Sequence, residues 1–152
     1  LIKMIRKNII ILSLIFFLNS CGFTPVYIKN KNTNFSIEQI NITGDRELNN
    51  FLKTNLYQYK NEKVDNKIFI EAVSVYKKII LSKDGTGEVT NYQLEAEVTF
   101  LIKPMNKEIK ISEKKIMDSI DDKFEEARNE RSIKQSFASS ISNKLSSELI
   151  IN

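Results

Sequence analysis

Cys21, the only thiol in the chain, stands behind an apolar run from Ile9 to Leu18, and Lys3, Arg6 and Lys7 precede that run. A basic n-region, an h-region of about ten residues and the small residue Ser20 ahead of the cysteine have the layout of a secretory signal and its cleavage point. The run is too short to cross a bilayer, which takes about 20 apolar residues. No second cysteine is present to form an intramolecular disulfide. The thiol is therefore placed for lipidation, and the expected mature chain begins at Cys21.

Little other chemistry is available. The chain has no His, so it lacks the commonest general base and the commonest metal ligand. With Cys21 committed to lipid, Cys/His metal sites, cysteine nucleophiles and Ser-His triads are excluded, leaving carboxylate, Lys or Tyr chemistry. Glu95 and Glu97 stand at i, i+2, a spacing at which two carboxylates could share acid–base work. The same alternation makes them the wet face of a strand, which is the reading adopted. No catalytic residues, metal or cofactor are expected. Lys3, Arg6 and Lys7 carry three of the four net positive charges. The remainder is thus near neutral and lacks the basic face of a nucleic-acid binder.

The expected organisation is a signal peptide over 1–20, a lipidated tether over 21–34 and one domain over 35–152, the roughly 130 residues left after the signal being enough for a single core and not comfortably for two. Gly22 to Asn34 has little periodicity. Phe35, Ile37, Ile40 and Ile42 alternate as a strand with a slip at Glu38 and Gln39 that predicts a bulge. Asp45 is placed as an N-cap, with Leu48, Phe51, Leu52, Leu56 and Tyr59 on one stripe of a four-turn helix.

From Lys67 the period becomes two. Ile68, Ile70 and Ala72 share one face, while Val73, Val75, Ile79 and Leu81 share the other. This predicts either a bulge near Ala72 and Val73 or a strand partly covered on both faces. Asp84, Gly85, Thr86 and Gly87 mark a hairpin turn, with Gly85 expected to take a positive φ. Beyond it Tyr92, Leu94, Ala96, Val98, Phe100 and Ile102 face the core, opposite Asn91, Gln93, Glu95, Glu97 and Thr99.

The two strands approach 15 residues each, roughly 50 Å, so the hairpin should project beyond its helices. Pro104 and Asn106 turn the chain into a charged edge strand bearing Ile109, Ile111 and Ile116. From Ser119 a last helix carries Phe124, Ala127, Ile133, Phe137, Ile141, Leu145 and Leu149 on one stripe, with Asp121, Asp122, Glu125 and Glu126 in its first turns. The fold class is α+β, a two-layer sandwich of order β-α-β-β-β-α: a four-stranded, mainly antiparallel sheet with two helices on one face. Its core should include Phe51, Leu56, Leu94, Phe100, Phe137 and Ile141.

Leu18, Ser20 and Cys21 resemble the lipobox of bacterial lipoproteins, from which Asn19 departs. Cys21, Gly22, Phe23, Pro25 and Tyr27 resemble the Cys-Gly-Phe-x-Pro-x-Tyr start of the LPS-assembly lipoproteins called LptE, particularly the short alphaproteobacterial type. Three later stretches extend the likeness over nearly the whole mature chain: Gly44, Asp45, Arg46 and Leu48; Asp84-Gly85 followed by Tyr92 and Leu94; and Phe124, Glu126, Ala127 and Arg128.

The resemblance implies an outer-membrane lipoprotein that plugs the LptD β-barrel, assists its assembly and contacts lipopolysaccharide. It would be anchored through Cys21 and periplasm-facing or within the barrel lumen. Gly22 agrees, since retained inner-membrane lipoproteins often carry Asp there. On this reading Lys77, Lys78 and Lys83 could meet lipopolysaccharide phosphates as point charges, against the plainer alternative of a solvated strand in a lysine-rich chain. Two competing readings are a free lipid or lipoprotein carrier, which needs a deep apolar cavity, and a carboxylate hydrolase, which needs loops long enough to build a site.

Overall fold

Asp45 sets the first joint of the chain. In the computed structural model, which describes residues 34–150, strand β1 (Ser36–Gly44) runs into helix α1 (Arg46–Leu56). Asp45 Oδ1 accepts from the Leu48 amide at 2.8 Å, as an N-cap does. A 3-10 turn at Tyr57–Tyr59 follows α1, so the last turn of the expected four-turn helix is tighter than α. The long strands are β2 (Lys67–Lys83), β3 (Val89–Lys103) and β4 (Lys107–Asp118), and α2 (Lys123–Ile150) closes the chain. The signal, Cys21 and the tether up to residue 33 lie outside the described residues.

The sheet order is β1-β2-β3-β4. The first pair is parallel, connected through α1, and the other two are antiparallel. The expected slip in β1 is present as a register shift between Ile37 and Gln39. Both helices cover one face. Leu48, Leu52 and Leu56 of α1 and Ile133, Phe137, Ile141 and Leu145 of α2 meet Ile68, Ile70, Leu94, Val98, Phe100 and Ile102 of the sheet, all buried. Ala72, Ala96 and Ala138, also buried, let the layers approach closely.

Four expectations need correction. The pairing of β2 with β3 is regular from Phe69 to Ile80, so there is no bulge at Ala72 and Val73; the shifts fall after Ile80, near the tip. Nor is the outer face of β2 covered. The inner alternation continues through Ser74, Tyr76 and Lys78, whose polarity hides it in the sequence.

Phe124 is 74% exposed and Ala127 is exposed as well. At 100° per residue, Phe124 lies half a turn from Ile133, which α2 does bury. Phe51 is only half-buried, because Leu48, Leu52 and Leu56 hold the centre of the α1 stripe and Phe51 sits on its flank beneath Arg131, 5.8 Å away. The positive φ of the hairpin belongs to Gly87, at +91°, and not to Gly85. Ile116 does lie on β4 but faces outward, while Met117 is buried.

Candidate functional site

The outer face of the sheet is divided. On β3 and β4 it is a ladder of ion pairs: Glu97 with Lys110 at 2.9 Å, and Glu95 with Lys114 at 2.7 Å. Lys114, then Gln93, donate to Glu95 and hold its carboxyl below the usual range. Glu95 and Glu97 are thus each occupied by a lysine across the strand pair. On β2 the same face carries five apolar side chains, Phe69, Val73, Val75, Ile79 and Leu81, each 40–55% exposed, in a row interrupted by Glu71 and Lys77. A groove of about 340 Å³ crosses this face between Thr43, Glu71, Val73, Thr99 and Leu101. A row of apolar side chains along one strand, rimmed by charge, is a surface suited to a protein partner.

The three lysines singled out from sequence do not converge. Lys77 lies on the outer face opposite Glu95, and Lys83 ends β2 beside the turn. Lys78 points the other way, beneath the start of α2. Its ammonium donates to Glu126 at 2.9 Å and to Glu130 at 3.0 Å, and lies 4.1 Å from the centre of the Tyr92 ring. Burial, the largest single influence, lowers its pKa, but the hydrogen bonds it donates to the two carboxylates outweigh burial and raise it.

The residue that sequence reasoning missed is Glu126. It is 6% exposed, and its carboxylate accepts from Lys78, Ser119 Oγ, the Ile120 amide and Lys123. The Lys78 bond is the main reason its carboxyl is held down to about 2, burial opposing it. An acid in a helix's first turn gives no sign of such a partner. The signal that was available is the odd Lys78 on the apolar-side register of β2.

From there the network continues across the domain. The Tyr76 hydroxyl donates to Glu130 at 2.9 Å, and burial, then this bond, raise the phenol well above its usual range. Lys134 sits 4.1 Å from the Tyr76 ring centre and bonds Glu47 at 3.2 Å. The first half of α2 is therefore fixed to β2 and α1 largely by charge, and its second half by apolar packing together with Lys144 on Glu113 at 2.8 Å.

Among the described residues no group of three or more His, Cys, Asp or Glu is placed to hold a metal. None of the described helices is long and apolar enough to cross a membrane.

No protein-family model matches the chain, and no curated protein matches it in sequence. Among solved structures the fold is similar to rare lipoprotein B from Shewanella oneidensis, at 15% identity over 70% of this chain and 89% of that one, with a TM-score of 0.52. It is similar also to a lipoprotein B from Nitrosomonas europaea, described as uncharacterized, at 19% identity over 75% and 83% of the two chains, with a TM-score of 0.50. At these identities the likeness is one of fold.

Proposed function

We propose that this chain is an outer-membrane lipoprotein of the LptE type, lipidated at Cys21, which occupies the lumen of an LptD β-barrel. There it supports assembly of the barrel and the passage of lipopolysaccharide to the outer leaflet, without catalysis. The observation that carries this reading is the uncovered apolar row on β2, Phe69, Val73, Val75, Ile79 and Leu81, on a domain whose fold is shared with rare lipoprotein B. The opposite face of the sheet is already filled by two helices, so a partner surface is left to the outer one.

The resemblance at Cys21-Gly22-Phe23 and in the Asp84-Gly85 hairpin supports the choice of partner. A free lipid carrier is disfavoured by the filled interior: Phe100, Leu94, Ile102, Ile141 and Leu145 occupy the space between sheet and helices, where such a carrier would hold its cargo. The test is to solubilise the lipoprotein from membranes and identify what co-purifies in a fixed ratio. The expected result is a barrel protein, with misassembled barrel and reduced surface lipopolysaccharide on depletion. Absence of any barrel partner, with normal surface lipopolysaccharide after depletion, would favour the carrier.

A further inference from the structure

β1 stops where Gly44 pairs with Ser74, but β2 continues to Lys83. The stop is built in. Gly44 takes φ +109°, and the next residue, Asp45, caps α1 while its amide donates to Ser74 Oγ at 3.0 Å. From Val75 to Lys83, nine residues, β2 is paired with β3 on one side and with no strand on the other among the described residues. Nine residues of strand span about 30 Å.

The other two free edges are blunted. That of β1 is bulged after Ile37. That of β4 is tied to α2 through Glu113 and Lys144 at 2.8 Å and through Lys107 and Glu148 at 3.9 Å. The Val75–Lys83 edge has no Pro or Gly and no irregularity before Ile80, and it runs Ile79, Ile80, Leu81 in succession. An edge left open in a protein that protects its others is a template for strand addition.

Charge selects the occupant. The segment holds Lys77, Lys78 and Lys83 and no acid. Lys78 is already paired with Glu126 and Glu130, so pairing with a second copy would bring four further lysines, Lys77 and Lys83 of each chain, into one seam, and residues 22–33 of this chain add Lys29 and Lys31 with no acid to offset them. We propose that the Val75–Lys83 edge of β2 receives an extended segment of the barrel partner as an added strand. That segment places apolar residues beside Val75, Ile79 and Leu81, and acidic residues beside Lys77 and Lys83. The proposal rests on the function proposed above, because it names the contact by which that partner is held.

Amide hydrogen exchange on the detergent-solubilised lipoprotein, alone and in the barrel complex, tests it. The expected result is exchange at least about tenfold slower over Val75–Lys83 in the complex, with the free edge of β4 unchanged. Replacing both Lys77 and Lys83 by Gln should weaken the complex about tenfold at unchanged melting temperature; unchanged binding would overturn the acidic-strand assignment. A complex that forms with Val75–Lys83 as exposed as before overturns the inference and leaves the proposed function standing. Full protection in the isolated lipoprotein overturns it too, by assigning the edge to residues 22–33 or, if concentration-dependent, to a second copy. Failure to recover any barrel overturns both.

Discussion

Lys78 of β2 and Glu126 of α2 stand 48 residues apart in sequence and 2.9 Å apart in space, and this bond joins the long hairpin to the start of the last helix. Glu126 is buried, so its charge is tolerated only because four donors surround it. Removing one partner of such a pair leaves the other inside the protein without compensation.

The Glu126 carboxyl, at about 2 in the folded chain against an ordinary 4.5, binds its proton more readily once unfolded. Its contribution to stability is therefore complete above about pH 4.5 and is lost as the pH falls toward 2. Urea unfolding between pH 7 and pH 2 should show that loss. Glu126→Gln should flatten the slope and cost about 1–3 kcal/mol at pH 7. An unchanged slope in the variant would mean that other carboxylates govern acid unfolding.

Gly44 leaves no room for a side chain. A Cβ there would lie 1.9 Å from the Ser74 carbonyl oxygen, and the φ of +109° is itself unfavourable for an L-residue. Gly44→Ala should cost more than about 2 kcal/mol in chemical unfolding, through strain and loss of the β1–β2 pairing at that point. A variant as stable as the parent would place the joint elsewhere.

At the hairpin tip the two glycines differ. Gly87 takes φ +91°, whereas Gly85 has open space around its Cβ direction and no positive φ. Asp84 Oδ1 organises the turn by accepting from the Thr86 and Glu88 amides at 2.8 and 2.9 Å. Gly87→Val should therefore disturb the turn at a cost of about 1–2 kcal/mol, and Gly85→Val should be nearly silent. Backbone chemical shifts over residues 82–90 distinguish the two.

Phe137→Ala removes a buried ring and should cost about 3–5 kcal/mol, while Phe124→Ala, at a position 74% exposed, should change stability by no more than about 0.5 kcal/mol. Equal effects in thermal unfolding would contradict the helix orientation described above.

Val73→Glu with Val75→Glu places charge in the uncovered row on β2. Stability should fall by only about 1 kcal/mol per site, since neither side chain is in the core. Under the proposed function, recovery of a barrel partner in co-purification should drop severely. Normal recovery would assign the contact to another face.

The sequence was most legible where one residue type answers to one local demand. Asp45 reads as a cap, the slip at Glu38 and Gln39 as a bulge, and Leu94 to Ile102 as an inward face, because each is decided within a few residues. Ser74, Tyr76 and Lys78 were not legible as inner positions: their partners, Asn49, Glu130 and Glu126, lie 25 to 54 residues away. A polar residue facing inward breaks the apparent period until its partner is known. For the same reason Glu126 reads locally as a helix-dipole acid, and Lys78 as one more exposed lysine. The uncovered row on β2 was visible as a second apolar face, but periodicity could not say whether anything in the chain lay over it.

Ser36 pairs with Lys67, at the start of β2, whereas the Asp84–Gly87 turn closes the other end of the same strand. The chain thus enters the domain at the pole farthest from the turn, and the 17 residues of β2 set roughly 55 Å between the two. On the proposed lipidation, the tether joins the domain at its foot. The hairpin then becomes a lever arm directed away from the anchored end, and the length of β2 becomes its reach.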